Sequence, residues 1–189
     1  MAQTAPPPAT KTLEGQVREC FGRVVYAHKT HEKQGDLCAG TLRTFKILQI
    51  GLASLTTCGA IAVVFTDPFL LKLATAALAL VALFVSSYMK GFDPGATAQK
   101  HRDTAADLWA IRESYLSLLT DIASEAVSDS VARARRDDLQ NQLAAIYKSA
   151  PGTSPKAYLM AQNGLQKLED YSFNPGEIDK FLPPALKRS

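Results

Sequence analysis

Two long apolar stretches separated by three residues constrain this chain more than any other feature. The first, "ILQIGLASLTTCGAIAVVF", runs from Ile47 to Phe65; the second, "FLLKLATAALALVALFVSSYM", runs from Phe69 to Met89 with Lys72 as its one charge. At 1.5 Å rise per residue the first makes a helix about 28 Å long, close to the hydrocarbon thickness of a bilayer. Lys72 falls in the first turn of the second, where its stem reaches the headgroups. Asp67 is expected to cap the second helix, with Pro68 in its first position. The competing reading is a buried hairpin inside a soluble protein. Core helices normally keep a polar face and shorter apolar runs, and the rest of this chain is too polar to wrap such a hairpin. The expectation is therefore two transmembrane helices, 47–65 and 69–89, joined by a turn at 66–68.

Lys and Arg near the ends set an orientation. Lys29, Lys33, Arg43 and Lys46 precede the hairpin, Lys90, Lys100 and Arg102 follow it, and the connecting turn has none. The positive-inside rule then places both termini in the cytoplasm.

Composition excludes several alternatives. A net charge of +3 over 189 residues, with the basic residues spread along the chain, argues against a nucleic-acid partner. Cys20, Cys38 and Cys58 are an odd number without a CxxC pair, which suggests neither a zinc knuckle nor a disulfide frame. Residues 1–11, "MAQTAPPPATK", read as a disordered leader without the charged start and apolar core of a signal peptide.

Helical periodicity accounts for the remainder. In residues 12–46, Val17, Phe21, Val24, His28, His31, Gly35, Cys38, Leu42 and Phe45 recur in steps of four and three, a heptad seam that should run unbroken into the first span. "KGFDPG" breaks the chain after the second span and starts a new helix near Asp93 and Pro94, with Leu108, Ile111, Tyr115, Leu118 and Ile122 as its core face. Leu139, Leu143 and Ile146 mark a further amphipathic helix, and "KAYLMAQNGLQKLED" another. Phe181 and Leu182 are expected to form an apolar plug near the end of the cytoplasmic region 94–189. "SVARARR" resembles a phosphate site, but its flanking Asp129, Asp137 and Asp138 favour a solvated surface. No strand pattern is present. The fold class is an all-α membrane protein, a transmembrane hairpin continued by an antiparallel cytoplasmic helical bundle.

Two antiparallel helices leaving one hairpin must run side by side. Equal distances from the membrane set His28 and His31 opposite His101, Asp103 and Asp107. Such a group admits a zinc reading, and with it a zinc-dependent membrane hydrolase. Its spacing is neither H-E-x-x-H nor H-x-x-E-H, however, and seam histidines more often form an interhelical polar cluster that fixes register. "GDLCAGT", Gly35 to Thr41, imitates a phosphate loop but lacks the lysine and any preceding strand. No catalytic residue, metal or cofactor is assigned, and the chain is not expected to be an enzyme.

Taken in order, "YAHKTHEK" (Tyr26 to Lys33), the hairpin, "KHRDTAADLWAIRESYLSLLTD" (Lys100 to Asp121), "RRDDLQNQLAAIYKSAPGTSPKAY" (Arg135 to Tyr158) and "EIDKFLP" (Glu177 to Pro183) closely resemble the SLATT family. This is the two-transmembrane effector domain associated with SMODS nucleotidyltransferases and SLOG proteins in bacterial conflict systems. His28, Lys29, His31, His101, Trp109, Arg112 and Tyr115 match its cytoplasmic helix motifs. The resemblance implies a multi-pass protein of the bacterial inner membrane that forms a pore during phage infection on a nucleotide-derived signal. No sensor or synthase segment is read in these residues, so a nucleotidyltransferase or other signalling partner is expected to supply the trigger.

Two helices cannot enclose a channel, so a homo-oligomer in membrane lipid is expected. Gln49, Ala53, Thr56, Thr57 and Ala60 are the pore-lining candidates, while Gly51, Ser54 and Cys58 would pack against a neighbour. The alternative for Gln49 and the threonines is hydrogen-bonding glue between helices. The alternative function is a non-conducting scaffold or sensor that recruits a partner through its cytoplasmic helices.

Overall fold

The computed structural model describes residues 12–66, 68–183 and 187. The expected leader at 1–11 and the expected cap Asp67 lie outside them. α1 is one helix, Leu13–Thr66, of 54 residues, about 81 Å long at the ordinary rise. It contains no proline, and its first turns carry Glu14–Arg18 and Glu19–Arg23 pairs four residues apart.

α2, Phe69–Phe92, returns antiparallel to α1, and α3, Pro94–Ala123, continues it. Pro68 stands just before α2 rather than in its first position. Its extended backbone (φ −77°, ψ 131°) and its carbonyl, which accepts from the Lys72 amide at 3.2 Å, make it the N-cap. Asp93 alone separates α2 from α3, in the left-handed region at φ 31°, ψ 72°. Its amide donates to the Met89 carbonyl at 3.1 Å and its carboxylate accepts from the Ala96 amide at 2.9 Å. One residue thus ends one helix and caps the next, with Pro94 in the first turn.

α4, Asp129–Ser149, packs along α3; α5, Pro155–Gln166, lies on α1; and a 3₁₀ turn follows at Ile178–Lys180. Every seam position of α1 from Val17 to Phe45 is buried or half-buried. Val17 and Val24 of α1 meet Leu108, Ile111, Tyr115 and Leu118 of α3 and Ala132 and Leu139 of α4. Burying each of the large side chains contributes about 2 kcal/mol. Of the expected plug, Phe181 is 73 % exposed and Leu182 is half-buried.

The hairpin is built the other way round. Between Ile47 and Phe65 only Leu52 is buried, and no residue of α2 is. Ile50, Val64, Phe65, Phe69 and Phe84 all point outward. The core helix of a soluble protein would be mostly covered. Both helices are long and apolar enough to cross a membrane.

Candidate functional site

Within the hairpin, Gln49, Leu52, Thr56 and Gly59 continue the seam of α1 and meet α2. Gln49 Nε2 donates to Ser86 Oγ at 3.3 Å. The Thr56 hydroxyl is buried without a hydrogen-bond partner. Gly59 lets the helices touch: a Cβ there would stand 2.6 Å from Thr75 Oγ1. Gln49 and Thr56 therefore face α2, whereas Ala53, Thr57 and Ala60 are exposed, with Thr57 Oγ1 donating to the Ala53 carbonyl at 2.8 Å. Gly51, Ser54 and Cys58 are exposed too, and the space over Gly51 is open. Ser86, Thr75 and Gly59 lie outside the residues singled out from sequence, although carrying the seam past Ile47 would have found Gly59.

Below the hairpin, His31 Nδ1 lies 3.0 Å from His101 Nδ1, and both rings are buried. Burial, then the neighbouring His101 and His28, pushes His31 down to about 4; burial lowers His101. Both rings are neutral at pH 7, one donating through Nδ1 and the other accepting. Asp103 and Asp107 are exposed and stand apart from this pair; Asp103 accepts from Gln99 at 2.7 Å. Among the described residues no group of three or more His, Cys, Asp or Glu is placed to hold a metal ion.

His28 belongs to a second group. Its ring stacks on Tyr171 with centroids 5.6 Å apart, its Nδ1 lies 3.3 Å from the Tyr171 hydroxyl, and its Nε2 is 3.7 Å from Glu32. Burial lowers its pKa, Glu32 opposes that, and Arg112 and Lys29 reinforce it. Tyr171 donates to Glu32 at 2.5 Å, and burial followed by that bond raises its pKa. Lys29 Nζ and the Arg112 guanidinium lie 4.5 and 4.7 Å from the Tyr171 ring centre. Lys29 is buried between Asp170 at 2.9 Å and Glu32 at 3.2 Å. Burial works against its charge, but the two carboxylates outweigh it and raise its pKa. Arg112 also binds Glu113 at 2.6 Å.

Tyr115 is fully buried against Cys20, a weak partner, so its hydroxyl has no conventional hydrogen bond; burial first and the thiol second raise its pKa. Trp109 is 52 % exposed beside a shallow cleft it shares with His28, Glu32 and Arg102. The amphipathic pattern 156–170 predicts Asp170 in a helix, but α5 ends at Gln166, and Asp170 and Tyr171 sit in an irregular segment where Glu169 and Tyr171 take positive φ without a glycine.

An all-helical hairpin with an apolar outer surface, a few polar side chains on its inner seam and a charged helical stalk defines a membrane-type domain. The chain belongs to the SMODS and SLOG-associating 2TM effector domain family 4, which matches residues 13–177. That family is one of two-transmembrane effector domains and is not a known family of enzymes. No curated protein and no solved structure matches the chain.

Proposed function

We propose that this chain is a membrane effector of a bacterial anti-phage system whose hairpins assemble into a ring and breach the inner membrane on a nucleotide-derived or partner signal. The observation that carries this reading is the hairpin's exposed apolar surface around a contact seam that holds the polar Gln49, Thr56 and Thr75 among apolar residues. Gln49 and Ser86 are each other's partners, Thr56 has none, and the Gly59–Thr75 contact fills the remaining gap. A polar seam in hydrocarbon is retained where polar groups will face water or one another. Rearranging neighbouring hairpins so that Gln49 and Thr56 turn toward a common axis, with Gly51, Ser54 and Cys58 packing between copies, would expose that seam to a conduit. Both termini and the stalk lie in the cytoplasm in this reading, within reach of a nucleotidyltransferase or its product.

The test is membrane potential, read by a voltage-sensitive dye in bacteria expressing the chain alone and with its genomic neighbours. Depolarisation is expected with the neighbours, and Gln49→Leu or Thr56→Leu should reduce it. Unchanged depolarisation in both variants, with the protein in the membrane, removes the two residues from the conduit. The exposed Trp109 favours a second reading, a non-conducting scaffold that docks a partner on α3. Absence of depolarisation in every arm would select it.

A further inference from the structure

α3 and α5 pack on opposite sides of α1. Gly35 lies against α3, where a Cβ on it would stand 3.5 Å from the Ala98 carbonyl. Tyr26, nine residues earlier and so half a turn out of phase, takes α5 instead. Its hydroxyl accepts from Gln166 at 2.7 Å, and its ring stacks on Tyr158. Each of the two helices buries the face that meets α1, through Ala98, His101 and Ala105 on α3 and through Ala157, Ala161 and Gly164 on α5. Their other faces therefore point outward in opposite directions.

Those outer faces carry opposite charge. On α3, Gln99, Asp103, Ala106, Asp107 and Ala110 share an exposed stripe in steps of three and four. Lys100 and Arg102 border it, and Arg102 leans back over Gly35 of α1. From Pro155 to Lys167 the chain holds no acid, and Lys156, Leu159, Asn163 and Lys167 are exposed at the same helical spacing. Among the described residues Asp107, Lys156 and Lys167 form no ion pair, and Asp103 accepts from the neutral Gln99 at 2.7 Å.

The two faces also lie at one height along α1. Ser154 bonds Gln34 and Gln166 bonds Tyr26, so α5 covers that span. His101 stands opposite His31, and α3 runs antiparallel to α1 from there, which carries Asp103 and Asp107 down the same span. Copies standing upright in one membrane can join only through surfaces at equal height. A twofold contact of α3 with α3 would set Asp103 and Asp107 against their own counterparts, which like charge disfavours.

We propose that the outer face of α3 in one copy packs against the outer face of α5 in the next, head to tail, with Asp103 and Asp107 toward the neighbour's lysine-bearing helix. A contact that uses a different patch on each side repeats from copy to copy and forms a ring when the rotation closes. The inference rests on the ring reading above and names the surface that builds it.

The experiment co-expresses two differently tagged copies of the full chain, with Cys20, Cys38 and Cys58 replaced by alanine. One copy carries Ala106→Cys and the other Asn163→Cys. Mild oxidation of the membranes should give a disulfide-linked dimer bearing both tags, and neither variant expressed alone should cross-link. Asp103→Lys with Asp107→Lys in the first copy should slow that cross-link about fivefold, and Lys156→Asp with Lys167→Asp in the second should restore it. Photobleaching steps of a fluorescently tagged chain in the same membranes count the copies independently. Multiple steps with either cysteine variant cross-linking to itself assign a twofold contact and overturn the proposal. Multiple steps with no cross-link, or with one that charge reversal leaves unchanged, overturn it too and leave the ring standing. Single steps overturn the ring reading and this inference with it.

Discussion

His31 and His101 face each other Nδ1 to Nδ1 across the α1–α3 interface at 3.0 Å, both buried, with one proton between them. Residues 70 positions apart are brought together because each leg of the hairpin travels nearly the same distance from the turn that joins them. His28, one turn away on α1, is the other titratable group acting on His31.

A pH dependence follows. His31 titrates near 4 in the folded chain and near 6.5 unfolded, so between those values the unfolded chain binds more protons. The stabilisation is complete above pH 6.5 and is lost as pH falls toward 4, by on the order of 3 kcal/mol. Thermal melts in detergent should show Tm falling from pH 7 to pH 5. Replacing both rings, His31→Leu with His101→Leu, should flatten that slope; a slope unchanged in the double variant would assign it elsewhere.

Tyr171 pins the C-terminal segment to the stalk. Tyr171→Phe keeps the ring between Lys29 and Arg112 and loses the hydroxyl's contacts to Glu32 and His28, whereas Tyr171→Ala loses the ring contacts as well. Two cation–π contacts at about 1 kcal/mol each correspond to roughly a thirtyfold change in local opening. Trypsin cleavage after Lys167 should accelerate on that scale in the alanine variant and little in the phenylalanine one. Equal rates would mean the ring contacts hold nothing.

Gly59→Ala forces a Cβ against Thr75 and should cost about 1–3 kcal/mol in hairpin stability. Thr75→Ala removes the obstructing hydroxyl and methyl, so the double variant should recover most of the loss. The readout is Tm in detergent, and failure to recover would show the hairpin tolerates the methyl by another route.

Tyr115→Phe removes a buried hydroxyl that lacks a conventional hydrogen bond while keeping the ring packed in the core. The expected change is a gain of about 1 kcal/mol, read by chemical denaturation. A loss would mean the Cys20 thiol beside it is a better partner than sulfur usually is.

Much of this architecture was legible before any coordinates. The steps of three and four from Val17 to Phe45 carry straight into the α1 interface, and Leu108 to Leu118 carry into α3, because heptad spacing and burial have the same physical cause. The meeting of His31 with His101 followed from equal lengths of two helices leaving one turn. The destination of Tyr171 did not: it depends on an irregular segment with left-handed residues, whose path no periodicity encodes. The split of Gln49 and Thr56 from Ala53, Thr57 and Ala60 was hidden for another reason. An apolar helix in lipid gives no hydrophobic contrast to tell its inner face from its outer one.

The Asp93 junction makes the two legs of the hairpin mechanically unequal. α1 runs as a single strut of 54 residues from the helical core to the far turn, its helix unbroken throughout. The returning leg is articulated at one left-handed residue between α2 and α3. A continuous leg thus lies beside a jointed one, with the Gln49–Ser86 hydrogen bond between them.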